Sequence, residues 1–398
     1  MAYLAPGVYV EEVPSGVRPI EGVSTSTAGF VGVAPATTKR VNELVWVENW
    51  SQFLREFASD DSKSTPLSHA VFGFFQNGGT RCGVVNVGTD KSGVIGDGTP
   101  RKGLGIFEQY DDISIIAAPG ATDAKVYSAV LDQCEKCKNR VAVFDGPKDV
   151  NDIDSLTRTA TVAAKGEGKA EGAAGEVAGF RPRQSDGGYG AFYFPWLTVR
   201  DPMPPYDTVD VAPSGHIAGI YARTDATQGV HVAPANKEIR GALDITRRVT
   251  RTEQEKLNPN GVNCIRYFPG EGIRVYGART LAASASEWRY LNVRRLFIMI
   301  EESIGRNTRW VVFEPNDRPL WKAIRRDVSA FLTLIWRQGA LVGRTPEEAF
   351  FVQCDEETNP PEVIDAGRVV TVIGLAPVKP AEFVIFKIGQ GVGGTTVE

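Results

Sequence analysis

Apolar positions along the chain switch between a period of two and a period near 3.6, and the switches mark out its elements. The opening Pro6-Gly7-Val8-Tyr9-Val10-Glu11-Glu12-Val13 is a β-rich extended run closed by Pro14, Gly16 and Pro19, which predicts a strand set apart from the body. From Gly29 the pattern predicts a helix over 50–57, then a second that Thr65-Pro66 opens and Gly78-Gly79 stops. Strands are expected over 83–87, 113–117 and 141–144, with a helix over 124–138, so 113–144 should form a βαβ unit with a parallel pair.

Residues 163–190 change character. From Lys165-Gly166-Glu167-Gly168-Lys169 onward they are Gly, Ala and charge with little that is large enough to bury, which predicts an exposed flexible insertion. Between 192 and 276, Pro-rich turns such as Pro202-Met203-Pro204-Pro205 and Ala233-Pro234-Ala235-Asn236 predict short strands and loops. The clearest helical periodicity is C-terminal. Asn292 is the expected N-cap of a helix with Val293, Leu296, Ile300 and Ile304 on one face. A second helix starts near Asp317 and Pro319 and aligns Leu320, Ile324, Val328, Phe331 and Ile335 before Gly339, with Lys322, Arg325 and Arg326 on the other face. Strands are expected over 349–354 and 368–375, then a last apolar run, Phe383-Val384-Ile385-Phe386-Lys387-Ile388, and a flexible tail from 389.

Composition narrows the class. At 398 residues the chain exceeds the roughly 250–300 that one core serves, so two or more packing units are expected. Apolar residues at 42% and charged residues at 23% suit substantial buried cores. A net charge of −4 gives no global attraction to phosphate, so neither nucleic acid nor an anionic membrane is an expected principal partner. The start has no cationic segment and apolar run of the signal-peptide kind, and no stretch approaches the roughly 20 apolar residues of a membrane span. A soluble chain without membrane insertion is expected. Cys82, Cys134, Cys137, Cys264 and Cys354 are odd in number and scattered, which predicts reduced thiols and synthesis in the cytoplasm.

Candidate chemistry is sparse. His69, His216 and His231 are isolated in sequence, and Cys134-x-x-Cys137 lacks the second pair that a closed zinc site needs. The Gly- and Lys-containing stretch 165–175 has no phosphate-loop spacing. Asp111-Asp112 and Glu301-Glu302 are sequence neighbours, which do not face one another on a helix or a strand. Asp145, at the end of an expected strand, sits where α/β enzymes often place a carboxylate. No cofactor or metal is expected. The two terminal runs are more unusual. A lone strand lacks partners for its backbone and cover for its side chains, so each must join a sheet, either the chain's own or that of a neighbouring copy.

The residues that bear on this choice carry a resemblance. Pro6-Gly7-Val8-Tyr9-Val10-Glu11-Glu12 resembles the N-terminus of contractile tail sheath proteins of phages and phage-derived injection systems. Other segments are similar to sheath signatures in the expected order. They are Phe75-Gln76-Asn77-Gly78-Gly79, Pro213-Ser214-Gly215-His216-Ile217-Ala218-Gly219, Gly277-Ala278-Arg279-Thr280-Leu281, Phe313-Glu314-Pro315-Asn316, Ala349-Phe350-Phe351-Val352 and Pro380-Ala381-Glu382-Phe383-Val384.

The resemblance implies a mixed α/β, multi-domain fold. It would comprise an extended arm over 1–22, an outer α/β domain over 23–275, an assembly and tube-facing domain over 276–380, and a C-terminal arm and tail over 381–398. It also implies a structural subunit, not an enzyme, that polymerises helically around an inner tube and contracts to drive the tube through a target envelope. Its partners would be further copies of itself, the tube protein, and baseplate and tail terminator proteins. Such a subunit assembles in the cytoplasm of the producing cell and ends in a virion tail or an extracellular injection particle.

In this family the arms add strands to neighbours' C-terminal sheets. That places subunit contacts on Gly7, Val8, Tyr9, Val10, Glu11 and Val13 of one arm and on Phe383, Val384, Ile385, Phe386 and Ile388 of the other. Phe351, Val352, Val370 and Val372 would lie on the receiving strands, with Gly16, Pro19, Pro377 and Pro380 as hinges. Tube contact is implied for Lys322, Arg325 and Arg326, and secondarily for Arg294 and Arg295. An α/β enzyme using Asp145, and another tail-tube or baseplate component, are the competing readings.

Overall fold

The computed structural model describes residues 19–96, 99–161 and 179–385. The expected N-terminal strand with Gly7, Val8, Tyr9, Val10, Glu11 and Val13 therefore lies outside the described residues, as do Phe386 and Ile388.

The largest sheet forms where runs of β-branched and aromatic residues are buried on both sides. Its first six strands in chain order are β1 (Ala28–Gly32), β2 (Leu44–Val47), β3 (Cys82–Asn86), β4 (Ile115–Ala117), β5 (Val141–Asp145) and β6 (Gly190–Phe194). Helices α1 (Trp50–Phe57), α2 (Pro66–Gln76) and α3 (Ala124–Cys137) fall between them, close to the bounds that the sequence predicts. A second, antiparallel sheet takes β7 (Leu197–Arg200) and β8 (Thr208–Val211). Then come α4 (Ser214–Gln228), β9 (Lys237–Glu238), β10 (Ala242–Ile245), α5 (Arg251–Leu257), β11 (Val262–Phe268) and β12 (Gly272–Tyr276).

The main sheet runs β2-β3-β1-β4-β5-β6-β11-β12-β9, with the block from β3 to β11 parallel and antiparallel strands at both edges. The expected parallel pair is β4 and β5, joined through α3. Register shows how the faces are covered. Ala28, Ile115 and Val141 are paired neighbours, so Phe30, Ala117 and Val143 share one face. Phe30 meets Phe74 of α2 there, and Asp145 on that face reaches Ser214 of α4. Phe144, on the opposite face, stacks edge-on against Tyr127 of α3. A parallel sheet covered by helices on both faces is the expected consequence of strands apolar on both sides.

Two expectations fail here. The chain between 192 and 276 is not only strands and loops, because α4 is a 15-residue helix. Its residues 214–222 are all buried, so no polar face exists to reveal a helical period. Pro213 ahead of it and Gly229 behind it were the available signals. Nor does the exposed flexible stretch expected over 163–190 hold at its described end, residues 179–190. Arg181, Ser185 and Tyr189 are buried, and Arg181 donates to the carbonyls of Asn260 and Leu281.

Beyond β12 come α6 (Leu291–Asn307), α7 (Arg318–Arg337), α8 (Pro346–Ala349), β13 (Phe350–Gln353), α9 (Pro361–Asp365) and β14 (Val372–Leu375). The predicted α7 stripe, Leu320, Ile324, Val328, Phe331 and Ile335, is buried in a second apolar core. Helix α6 spans both cores: Leu291 and Ile298 belong to the larger, Leu296, Met299 and Ile300 to the smaller. Asn292 lies inside α6 and does not cap it, because Tyr290 holds the cap position. The amide of Asn292 donates instead to the carbonyls of His231 and Val378.

Candidate assembly surface

β13 and β14 pair antiparallel in the register Phe350↔Leu375, Phe351↔Gly374, Val352↔Ile373 and Gln353↔Val372. The pairing continues past a detour through α8, where Leu341 bridges Pro377 and the Val378 amide donates to Ala340 O at 3.1 Å. Phe350, Val352, Ile373 and Leu375 turn toward the smaller core. Alternation puts Phe351 and Val372 on the outer face, where they are 56% and 42% exposed. The Phe351 ring covers Gly374, and a Cβ at that glycine would fall inside it.

A two-stranded ribbon is marginal by itself and has two unpaired edges. Among the described residues no third strand pairs with β13 or β14. Residues 368–371 are not strand as expected, because Asn359 occupies both backbone groups of Val370. Its Oδ1 accepts from the Val370 amide at 2.7 Å, and its Nδ2 donates to the Val370 carbonyl at 3.0 Å. Val370 thus keeps an exposed side chain but offers no free backbone to a ladder. Phe383, Val384 and Ile385, directly after the last tethered residue, are 72%, 71% and 80% exposed and form no strand within the chain.

The cationic candidates divide. Lys322, Arg325 and Arg326 are exposed on α7 at helical spacing, with Arg326 beside the buried Asp327 at 2.9 Å. Arg294 and Arg295 are instead 3% exposed. Arg295 pairs with Asp225 at 2.5 Å, donates to Thr25 O and lies over the Tyr221 ring. Arg294 meets Glu301 at 3.1 Å and lies over Trp288 and Tyr189. Both are therefore removed from any outward-facing charged patch: an arginine is buried when its charge is paired and its plane stacked.

Asp145 is also committed to structure. Its carboxylate accepts from Ser214 N at 2.7 Å, Ser214 Oγ at 2.8 Å and Gly120 N at 3.0 Å, which closes the N-terminal end of α4. A cleft of about 500 Å³ over α3, lined by residues such as Leu104, Glu108 and Lys125, does not include it.

Known proteins with this arrangement identify the family. A model of the phage tail sheath protein central domain matches residues 104–281, and one of the phage tail sheath C-terminal domain matches 283–390. The sheath chain of an extracellular contractile injection system, the PVC sheath complex in its contracted state, is 30% identical. It aligns over 98% of this chain and 99% of that one with a TM-score of 0.77. The chain belongs to the contractile tail sheath family. The contracted helical sheath of the anti-feeding prophage is similar at 29% identity and a TM-score of 0.75, over 98% of this chain and all of that one. The tail sheath protein of Vibrio phage KVP40 is 31% identical over 43% of this chain, and that match spans 25% of the phage protein. The sheath domain models meet at residues 281–283, between β12 and α6.

Sequence reasoning missed the contacts that fasten residues 20–25 and Glu382. Glu382 is held by Arg279, Asn258 and Tyr290, and residues 20–25 are fastened along α6. Arg279 and Glu382 both lie in segments that the resemblance singles out, but nothing in their sequence spacing pairs them.

Proposed function

We propose that this chain is a structural subunit of a contractile sheath, in which its two ends complete the β13–β14 ribbon of neighbouring copies. The observation that carries the reading is the ribbon itself, open at both edges and followed closely by an exposed apolar segment, Phe383-Val384-Ile385, with no strand partner among the described residues of its own chain. Three or more strands stabilise what two cannot, so a donated strand on each edge turns a marginal ribbon into a durable link. The helical sheath of the anti-feeding prophage supplies the context of a polymer. In this reading the polymer encloses an inner tube with an acidic surface, which Lys322, Arg325 and Arg326 face, while baseplate and terminator proteins bound its two ends. Assembly takes place in the cytoplasm of the producing cell before the particle is released.

Negative-stain microscopy of the purified chain tests the reading. Full-length protein is expected to form striated hollow cylinders, and a variant lacking residues 1–13 only monomers. Normal cylinders from the truncated chain would overturn strand donation by the N-terminal arm.

A further inference from the structure

Pro377 and Pro380 are the hinges that the sequence suggests for the C-terminal arm, yet the chain remains fastened beyond both. Pro377 bridges Leu341, and the Val378 carbonyl accepts from Asn292 Nδ2 at 3.3 Å. Four residues later Glu382 is clamped. Its Oε1 accepts from Arg279 Nε at 2.8 Å and Asn258 Nδ2 at 2.6 Å, and its Oε2 from Arg279 Nη2 at 2.8 Å and Tyr290 Oη at 3.2 Å. The Arg279 side chain is only 8% exposed, so this two-pronged ion pair is largely shielded from water. Phe383 follows immediately, 72% exposed.

The three clamping residues come from separate parts of the chain. Asn258 follows α5, Arg279 follows β12, and Tyr290 leads into α6. The first two lie in the segment matched by the central-domain model and the third in that matched by the C-terminal model. Glu382 thus sits on the seam between them. The N-terminal arm is rooted nearby: Asn307 Nδ2 donates to Glu21 O at 3.0 Å, Val23 N donates to Ser303 Oγ at 3.0 Å, and Arg295 reaches Thr25 O. Helix α6 and the Tyr290 at its head therefore hold the roots of both arms.

We propose that Glu382 is the mechanical anchor of the C-terminal arm, fixing its root to the domain seam and placing the pivot of the donated strand after residue 382, not at the prolines. This rests on the strand-donation reading and adds a positioning residue to it. A strand whose root is fixed loses less freedom when it pairs with a neighbour, so the clamp strengthens assembly without touching the partner. Tension along the arm then passes into Arg279 and α6 and does not peel residues 376–378 from their ladder.

The test uses the full chain, Glu382→Gln, and a chain lacking residues 383–398. Polymer formation is measured by sedimentation, and the opening of 377–382 by amide hydrogen exchange in the monomer. E382Q is expected to raise the assembly threshold concentration about tenfold and to speed exchange across 377–382, with the monomer's melting temperature little changed. Wild-type exchange and wild-type assembly in E382Q would overturn the anchor. If the truncated chain still polymerises, strand donation by this arm itself fails; if it does not polymerise while E382Q assembles normally, only the anchor fails. Should E382Q destabilise the monomer, Asn258→Ala removes one neutral donor and keeps the ion pair. Faster exchange with weaker assembly then supports the anchor, and unchanged assembly overturns it.

Discussion

Asp145 shows how one position is drawn in two directions by its surroundings. Burial pushes its carboxyl up to about 6, against the pull of the hydrogen bonds from Gly120 and Ser214. Because the folded value is raised, its contribution to stability is complete below the ordinary value near 3.8 and is lost as the pH rises through about 6. His216 works in the opposite sense over an overlapping window. Burial first, and then neighbouring His69, push it down to about 4, so its contribution is lost as the pH falls. The two trends mask each other in the wild-type chain, and a comparison with Asp145→Asn separates them. The stability of wild type relative to D145N is expected to fall by about 2 kcal/mol between about pH 4 and pH 7, as measured by urea unfolding of the monomer. A difference that stays flat with pH would show that Asp145 is ionised throughout.

At the scale of elements, the contact of α2 with α4 depends on backbones that touch. A Cβ at Gly215 would lie 2.3 Å from Ala70 Cα, and one at Gly219 would lie 2.5 Å from Phe74 O. Gly215 and Gly219 are one helical turn apart, as are Ala70 and Phe74, so a strip of glycine faces a strip of opposing backbone. Gly215→Ala is expected to destabilise the monomer by about 2–3 kcal/mol, because both helices must move apart over a packed sheet. Gly305→Ala provides the contrast: it lies exposed in α6 with open space around it, and the change should stabilise by about 1 kcal/mol. Denaturant midpoints of the two variants shifting in the same direction would contradict this account.

For the whole molecule, the candidate cations divide into a buried, paired set and an exposed set. Arg294 and Arg295 hold the body together, whereas Lys322 and Arg325 carry exposed charge and lie outside both apolar cores. Lys322→Glu with Arg325→Glu is therefore expected to leave the monomer's melting temperature within about 2 °C of wild type, as for most surface changes. The same double variant should abolish cylinder formation on tubes, as scored by co-sedimentation with the tube protein. Wild-type sheathing would remove this face of α7 from the tube contact.

Local pattern alone determined the βαβ unit over β4, α3 and β5, the helix starts at Thr65 and Asp317, and the buried stripe of α7. Each depends on residues close in sequence, whose spacing fixes period, cap and face before any long-range contact forms. The motifs were legible too, and they pointed to the family. Tertiary structure decided which of the charged side chains stay in water. Arg295 and Arg325 look alike in sequence, and only the approach of Asp225, from 70 positions earlier in the chain, makes one of them part of the core. The same holds for α4, whose helical period vanishes because it is buried on nearly every side. It holds for the Glu382 clamp as well, whose partner Arg279 lies 103 residues away and is brought near only by long-range packing. Burial and long-range pairing are properties of the packed chain, and for that reason the contacts of Arg295 and Glu382 could be found only once it had folded.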